Sequence, residues 1–204
     1  MLRVVIAFAA LLVLTACGAE PKWASEEAVS AARYVDPAPS SVTLYTVINS
    51  RSGEGAHAGL LISGSERIMF DPAGSWNHPK VPERNDVHFG MTPKMVNFYI
   101  DYHARETFDV VEQTVPVPLE VAELVMQRAM AYGAAPKATC TISISRVLQG
   151  VPGFESLPMT WFPKKMMKGF AALPGVRTRT ITDTDADKNH GVLLVQATDG
   201  RVSP

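Results

Sequence analysis

Residues 55–74, GAHAGLLISGSERIMFDPAG, constrain the fold of this chain more than any other stretch. Two apolar runs, GAHAGLLIS and RIMFD, flank the turn-forming Gly64-Ser65-Glu66, so the chain doubles back as a β-hairpin. Alternation places His57, Gly59 and Leu61 on one face of the first strand, with Ala58, Leu60 and Ile62 on the other. In the second strand Ile68 and Phe70 oppose Arg67, Met69 and Asp71. His57 thus opens one strand and Asp71 closes the next, at the same end of the pair. Ala58 and Gly59 are small, which leaves room for another element to come close to His57. The expectation is an α+β domain, a mostly antiparallel sheet with helices packed on one side.

The rest of the chain supplies those elements. Residues 25–34, SEEAVSAARY, read as a short helix capped by Ser25 and stopped by Pro37 and Pro39. VTLYTVIN (42–49) is β-branched and reads as the strand before the hairpin. PAGSWNHPKVPERNDVHFG (72–90) reads as a long loop, a length often associated with function. Thr92-Pro93 opens a helix whose apolar stripe is Met95, Val96, Tyr99, Ile100 and His103. FDVVEQTV (108–115) is a strand. LEVAELVMQRAMAY is a helix closed by Gly133, with Val121, Leu124, Val125 and Ala129 or Met130 inward. Alternating Thr and Ile in residues 140–149 suggest a strand, but Cys140, Ile144, Val147 and Leu148 fall at helical spacing before Gly150, so the stretch reads as a helix starting at the cysteine. Residues 163–173 form a short Lys- and Met-bearing helix in which Met166 and Met167, near Phe162 and Phe170, read as core, with a lid as the alternative. Residues 176–182 and 191–197 read as strands, and whether 176–204 completes the sheet is left open.

The first residues are an address rather than a fold element. Arg3 and the apolar run 4–14 form a targeting signal too short to span a bilayer. Leu14-Thr15-Ala16-Cys17 resembles a bacterial lipobox. That resemblance implies a signal peptide over 1–16, cleavage before Cys17, and acylation of Cys17 with fatty chains such as palmitate. It also implies a lipidated tether over 17–41 and a single domain over 42–204. Gly18 stands where an inner-membrane retention signal would place Asp, so the expected location is the outer membrane, facing the periplasm. An ordinary signal peptide with a chance cysteine is the alternative. The net charge of −1 and the lack of a basic run argue against nucleic acid as a partner.

With Cys17 acylated, Cys140 has no intramolecular partner in an oxidising compartment. A lone thiol is either a small buried hydrophobe or exposed for a reason. A helix N-terminus lowers a thiol's pKa, and an imidazole beside it takes the proton. Cys140 is therefore the candidate nucleophile, His57 the candidate base, and Asp71 the candidate orienting residue. Asp71 also reads as a plain turn residue before Pro72, and His78 is the rival third member. His88, His103 and His190 show no metal-type spacing and read as surface or boundary residues, so no metal or cofactor is expected. Trp76 and Trp161 are candidates for a substrate groove or for packing. No phosphate-binding glycine loop and no Gly-x-Ser-x-Gly elbow occurs.

A strand opening with histidine (AHAGLLIS), a following strand ending in an acid (RIMFDPAG) and a later cysteine at a helix start (ATCTISISRVL) resemble the circularly permuted papain-like superfamily. Its members include permuted NlpC-type hydrolases and the lecithin–retinol acyltransferase group. The resemblance covers roughly residues 42–150 and implies a papain-like domain with Cys140 as nucleophile, His57 as base and Asp71 as orienting residue. Asp71 and Thr139 stand where the acyltransferase pattern has His and Asn, which favours amide, peptide or thioester hydrolysis over acyl transfer. The expected protein is an envelope lipoprotein acting as a cysteine hydrolase on peptidoglycan or an envelope lipid. The alternative is a non-catalytic envelope lipoprotein that uses the fold for binding or scaffolding.

Overall fold

The structure, a computed structural model, describes residues 18–199. The signal segment and Cys17 lie outside the described residues. The element order is α1 (Glu26–Ala32), β1 (Ser41–Asn49), β2 (Gly55–Ser63), β3 (Arg67–Phe70), β4 (Glu83–Arg84), β5 (Val87–Phe89), α2 (Pro93–His103), β6 (Phe108–Pro116), α3 (Leu119–Ala131), α4 (Cys140–Leu148), α5 (Pro163–Ala171), β7 (Arg177–Ile181) and α6 (Asn189–Thr198). The fold is α+β, with a seven-stranded sheet in the order β4-β5-β3-β2-β1-β6-β7. Every neighbouring pair is antiparallel.

Local chemistry explains four of the helix boundaries. Ser25 caps α1 by accepting from the Ala28 N–H, and Thr92 caps α2 by accepting from Met95, with Pro93 at the first helical position. Gly133 and Gly150, at φ +83° and +64°, adopt the left-handed conformation just beyond α3 and α4. The hairpin register pairs Ser63 with Arg67 and Leu60 with Phe70.

Both faces of the sheet are covered, which corrects the one-sided packing expected from sequence. Val42, Leu44, Ala58, Leu60, Ile62, Ile68 and Phe70 meet α3, α4 and α5 on one face. Tyr45, Leu61, Met69 and Val110 meet α2 on the other, where Val192 and Leu193 of α6 also pack. The central strands β1 and β2 carry long apolar runs, as strands buried on both faces do. In α3 the inward residues are Val121, Ala122, Val125, Met126 and Ala129. Met130 is on the outside.

Three further expectations change. The loop over 72–90 contains β4 and β5, which extend the sheet beyond β3. The segment over 191–197 is helical: Gln196 turns inward from α6 and binds the Phe98 carbonyl and Asp101, an anchoring that a short VLLV run does not disclose. The tether over 17–41 is docked where it is described. Trp23 bridges to Arg84, the Ala24 N–H donates to the Glu83 carbonyl, and Val29 is buried in the core. The strand expected over 176–182 does complete the sheet, as β7 on the β6 edge.

The inner face of α4 sets the position of its first residue. Ile144 is fully buried against the sheet. Ile144→Ala is expected to cost about 2–5 kcal/mol of stability, read as a lower midpoint in urea denaturation. Met159→Ala, at a position 47% exposed, is expected to change stability by less than about 0.5 kcal/mol.

Candidate active site

The site forms where β3 stops pairing. Phe70 is the last residue of β3 opposite β2, so the β2 edge beyond Leu60 has no strand beside it. Asp71 follows at once, on the α2 side of the sheet with Met69 and Leu61. His57 lies on that same face. Its Nε2–H donates to Asp71 Oδ1 at 2.7 Å. Tyr99 Oη–H, from the middle of α2, donates to the same oxygen at 2.8 Å.

Two glycines make this possible. A Cβ on Gly59 would stand 2.2 Å from Tyr99 Oη, and one on Gly74 would stand 1.8 Å from Asp71 Oδ2. Gly74 is held there by its N–H donating to the Asp71 carbonyl. Both oxygens of Asp71 are thus walled in, and Oδ2 has no hydrogen-bond partner among the described residues.

His103, one turn after Tyr99, lies parallel to His57 with ring centroids 5.4 Å apart. Its Nδ1–H donates to the Tyr99 carbonyl at 2.8 Å, which fixes the tautomer and leaves Nε2 as acceptor. The sequence places Tyr99 only in a helix stripe, and His103 both in that stripe and among the surface or boundary residues. The signal was their i, i+4 spacing opposite Gly59, a strand position with no side chain. His88 and His103 are buried, not surface or boundary residues; the side chain of His190 lies outside the described residues.

Cys140 arrives from the other side of the sheet as the first residue of α4. The thiol is free, and the residue is 8% exposed. Thr141 Oγ1 is the hydrogen-bond partner of its sulfur at 3.7 Å, and His57 and the Ala58 N–H are close enough to act on the ionisation of that sulfur. With Nε2 committed to Asp71, Nδ1 is the nitrogen of His57 left for the sulfur. Thr139 does not cap α4 through its side chain; its hydroxyl donates to the Pro136 carbonyl instead. The first turn of α4, which Cys140 opens, therefore receives no side-chain cap from Thr139.

Electrostatics follow from this geometry. Burial acts to neutralise His57, but the Asp71 carboxylate and the Cys140 sulfur outweigh it and raise its pKa to about 10. Burial likewise opposes ionisation of Asp71, yet the adjacent imidazolium holds its carboxyl well below the usual range. Cys140 follows the same pattern: burial raises its pKa, and His57, Thr141 and the Ala58 N–H together bring it below the ordinary thiol value. Burial and the neighbouring His57 charge push His103 down to about 4, so it is neutral.

His78 is not part of this constellation. Its Nε2–H donates to the Gln196 carbonyl, its Nδ1 accepts from the Lys80 N–H, and its ring packs on Phe98. Trp76 is a packing residue, buried against Tyr99 and His88. Trp161 is 57% exposed. A cleft of about 240 Å³ opens over His57, His103, Tyr102, Ala73 and Gly74. Cys140 is not in its lining. A larger cavity, about 370 Å³, lies at the far end of β1 and β2 around Ser41, Ser63 and Arg67, away from this chemistry. Among the described residues, Asp101, Asp183 and Asp185 come within metal-binding distance of one another. Arg105 already pairs with Asp101 at 3.1 Å and Asp185 at 3.3 Å.

The chain matches no protein-family model, no curated protein and no solved structure.

Two expectations follow. Gly59→Ala forces Tyr99 off Asp71 and is expected to cost about 1–3 kcal/mol. Tyr99→Phe in the same chain removes the clashing oxygen, so the double variant is expected to fall short of the summed single effects by about 0.5 kcal/mol or more, measured in a urea double-mutant cycle. The second concerns pH. The folded pKa of His57, about 10 against 6.5, makes its stabilisation complete below pH 6.5 and lost as pH rises toward 10. The folded pKa of His103, about 4, makes its contribution complete above pH 6.5 and lost as pH falls toward 4. His78 and His88, lowered chiefly by burial, act in the same sense as His103. Stability is expected to peak near neutral pH, and His103→Gln to remove about 2–3 kcal/mol of the loss between pH 6.5 and 4.

Proposed function

We propose that this chain is a cysteine-nucleophile hydrolase of the bacterial envelope, with Cys140 as nucleophile, His57 as general base and acid, and Asp71 as the residue that holds the imidazole. The observation that carries the reading is the position of His57, bound through Nε2 to a buried carboxylate and coupled to a sulfur at a helix N-terminus. Tyr99 supports the carboxylate. The order of a histidine strand before a cysteine helix favours the permuted papain-like arrangement, carried by an acylated Cys17 on the periplasmic side of the outer membrane.

The chemistry follows. The Cys140 thiolate attacks the carbonyl carbon of an amide, peptide or ester bond. The resulting oxyanion is stabilised by first-turn N–H groups of α4. The His57 imidazolium donates its Nδ1 proton to the departing nitrogen or oxygen, leaving an acyl thioester on Cys140. Neutral His57 then takes a proton from water as that water attacks the thioester. The carboxylic acid leaves, and the proton on His57 restores the ion pair with the released thiolate. Asp71 stays ionised throughout and fixes the tautomer. An acyl transferase would replace that water with another acceptor.

A second reading has its own observation. Cys140 is only 8% exposed and is absent from the lining of the cleft over His57, as expected of a binding or scaffolding protein in which Cys140 only packs.

Iodoacetamide alkylation across a pH series separates the two. The hydrolase reading expects folded protein to react well below the ordinary thiol range, with His57→Ala slowing the reaction at pH 7 about tenfold or more. Asp71→Asn is expected to slow it by a smaller factor. Reaction only after unfolding supports the packing role.

A further inference from the structure

The segment between α4 and α5 exposes apolar side chains that the core does not use. Met159, Trp161 and Phe162 are 47%, 57% and 69% exposed. The segment is nonetheless held firmly: the Thr160 N–H donates to Ser145 Oγ, and the Ser145 hydroxyl lies 3.2 Å from the Thr160 carbonyl. A fixed backbone presenting a tryptophan and a phenylalanine to solvent is a docking feature rather than a fraying loop.

Basic residues continue the patch. Along α5, Pro163, Met166 and Phe170 face the core. Phe162, Lys165 and Lys168 follow at i, i+3 and i+6 on the outer side, and all three are exposed. Lys164 pairs with Glu54 at 3.3 Å, so Lys165 and Lys168 carry the outward positive charge. Aromatic residues beside lysines, on a helix that buries its other face, match the polar–apolar boundary and negative charge of a phospholipid surface.

The position of the patch agrees. A Cβ on Gly55 would stand 2.7 Å from Pro163 Cβ, so the start of α5 lies against the start of β2, two residues from His57. The described chain begins at the same end of the sheet. Gly18 and Glu20 line a crevice with Ala73, Gly74 and Ala135, and Glu20 pairs with Lys137 at 3.1 Å. Gly74 in turn abuts Asp71. The residue that precedes Gly18 is the one expected to carry acyl chains, and the docked segment after it provides little slack.

We infer that Met159, Trp161 and Phe162, with Lys165 and Lys168, form a surface that inserts into an anionic phospholipid bilayer and sets the sheet end bearing His57 and Cys140 against it. Taken with the hydrolase reading, on which this last step rests, the substrate class is an acyl or amide bond displayed at the lipid surface.

The test uses the full chain carrying Trp23→Phe, which leaves buried Trp76 and exposed Trp161 as emitters. It is reconstituted with phosphatidylcholine vesicles containing about one-third phosphatidylglycerol and brominated acyl chains. Quenching of about half the emission is expected, with almost none after Trp161→Phe. Lys165→Glu with Lys168→Glu is expected to cut the quenching about threefold or more, at an unchanged Tm. Vesicle-bound chain with unquenched Trp161 overturns the inference and assigns the patch to a protein partner; failure to bind the vesicles overturns it as well. Thiol alkylation is blind to bilayer insertion, so the two readings fail separately.

Discussion

The Asp71 carboxylate is the constraint on which the other features of the site depend. It is wholly inaccessible, and one of its oxygens has no hydrogen bond among the described residues. An ion in that position costs several kcal/mol unless a counter-charge stands against it. His57 supplies that charge at 2.7 Å, so the carboxylate and the imidazolium require one another. Gly59 and Gly74 are the places where the backbone gives way to admit Tyr99 and the carboxylate. The neutral His103 ring then covers the open side of His57 without adding a second charge.

This arrangement couples the two faces of the sheet. Asp71, His57 and Tyr99 belong to the α2 face, whereas α4 packs on the opposite one. They meet only because β3 stops at Phe70 and leaves the β2 edge open for the start of α4. The strand amide of Ala58 and the His57 imidazole both act there to favour the ionised sulfur. Among the described residues, the docked N-terminal segment and the aromatic–lysine patch lie at this same end of the sheet.

Much of this was legible in the sequence because it is local. The turn at residues 64–66 fixes the hairpin, and alternation within it puts His57 and Asp71 on one face at one end. The helical spacing from Cys140 to Leu148 outweighed the strand-like Thr and Ile content, and the cysteine does begin the helix. What escaped depends on distant contacts. Burial of both faces of β1 and β2 looks, in sequence, like an apolar strand of any kind. β4 and β5 are two and three residues long, too short to carry a period. The apolar run over 192–195 became helix because Gln196 finds Asp101 and Phe98 across the fold. Tyr99 and His103 share a helix stripe in the sequence, but only the packing of α2 on β2 shows that they face a glycine and a buried ion.

The central claim is that His57 is an imidazolium in the resting protein, balanced between Asp71 and Cys140. The most direct test is the ¹⁵N chemical shift of its two ring nitrogens, followed by NMR as pH rises. Both nitrogens are expected to remain protonated through pH 8, with deprotonation near pH 10, and the transition to fall in Cys140→Ser and further in Asp71→Asn. A neutral ring at pH 8 that titrates at or below its ordinary value of 6.5 contradicts the account.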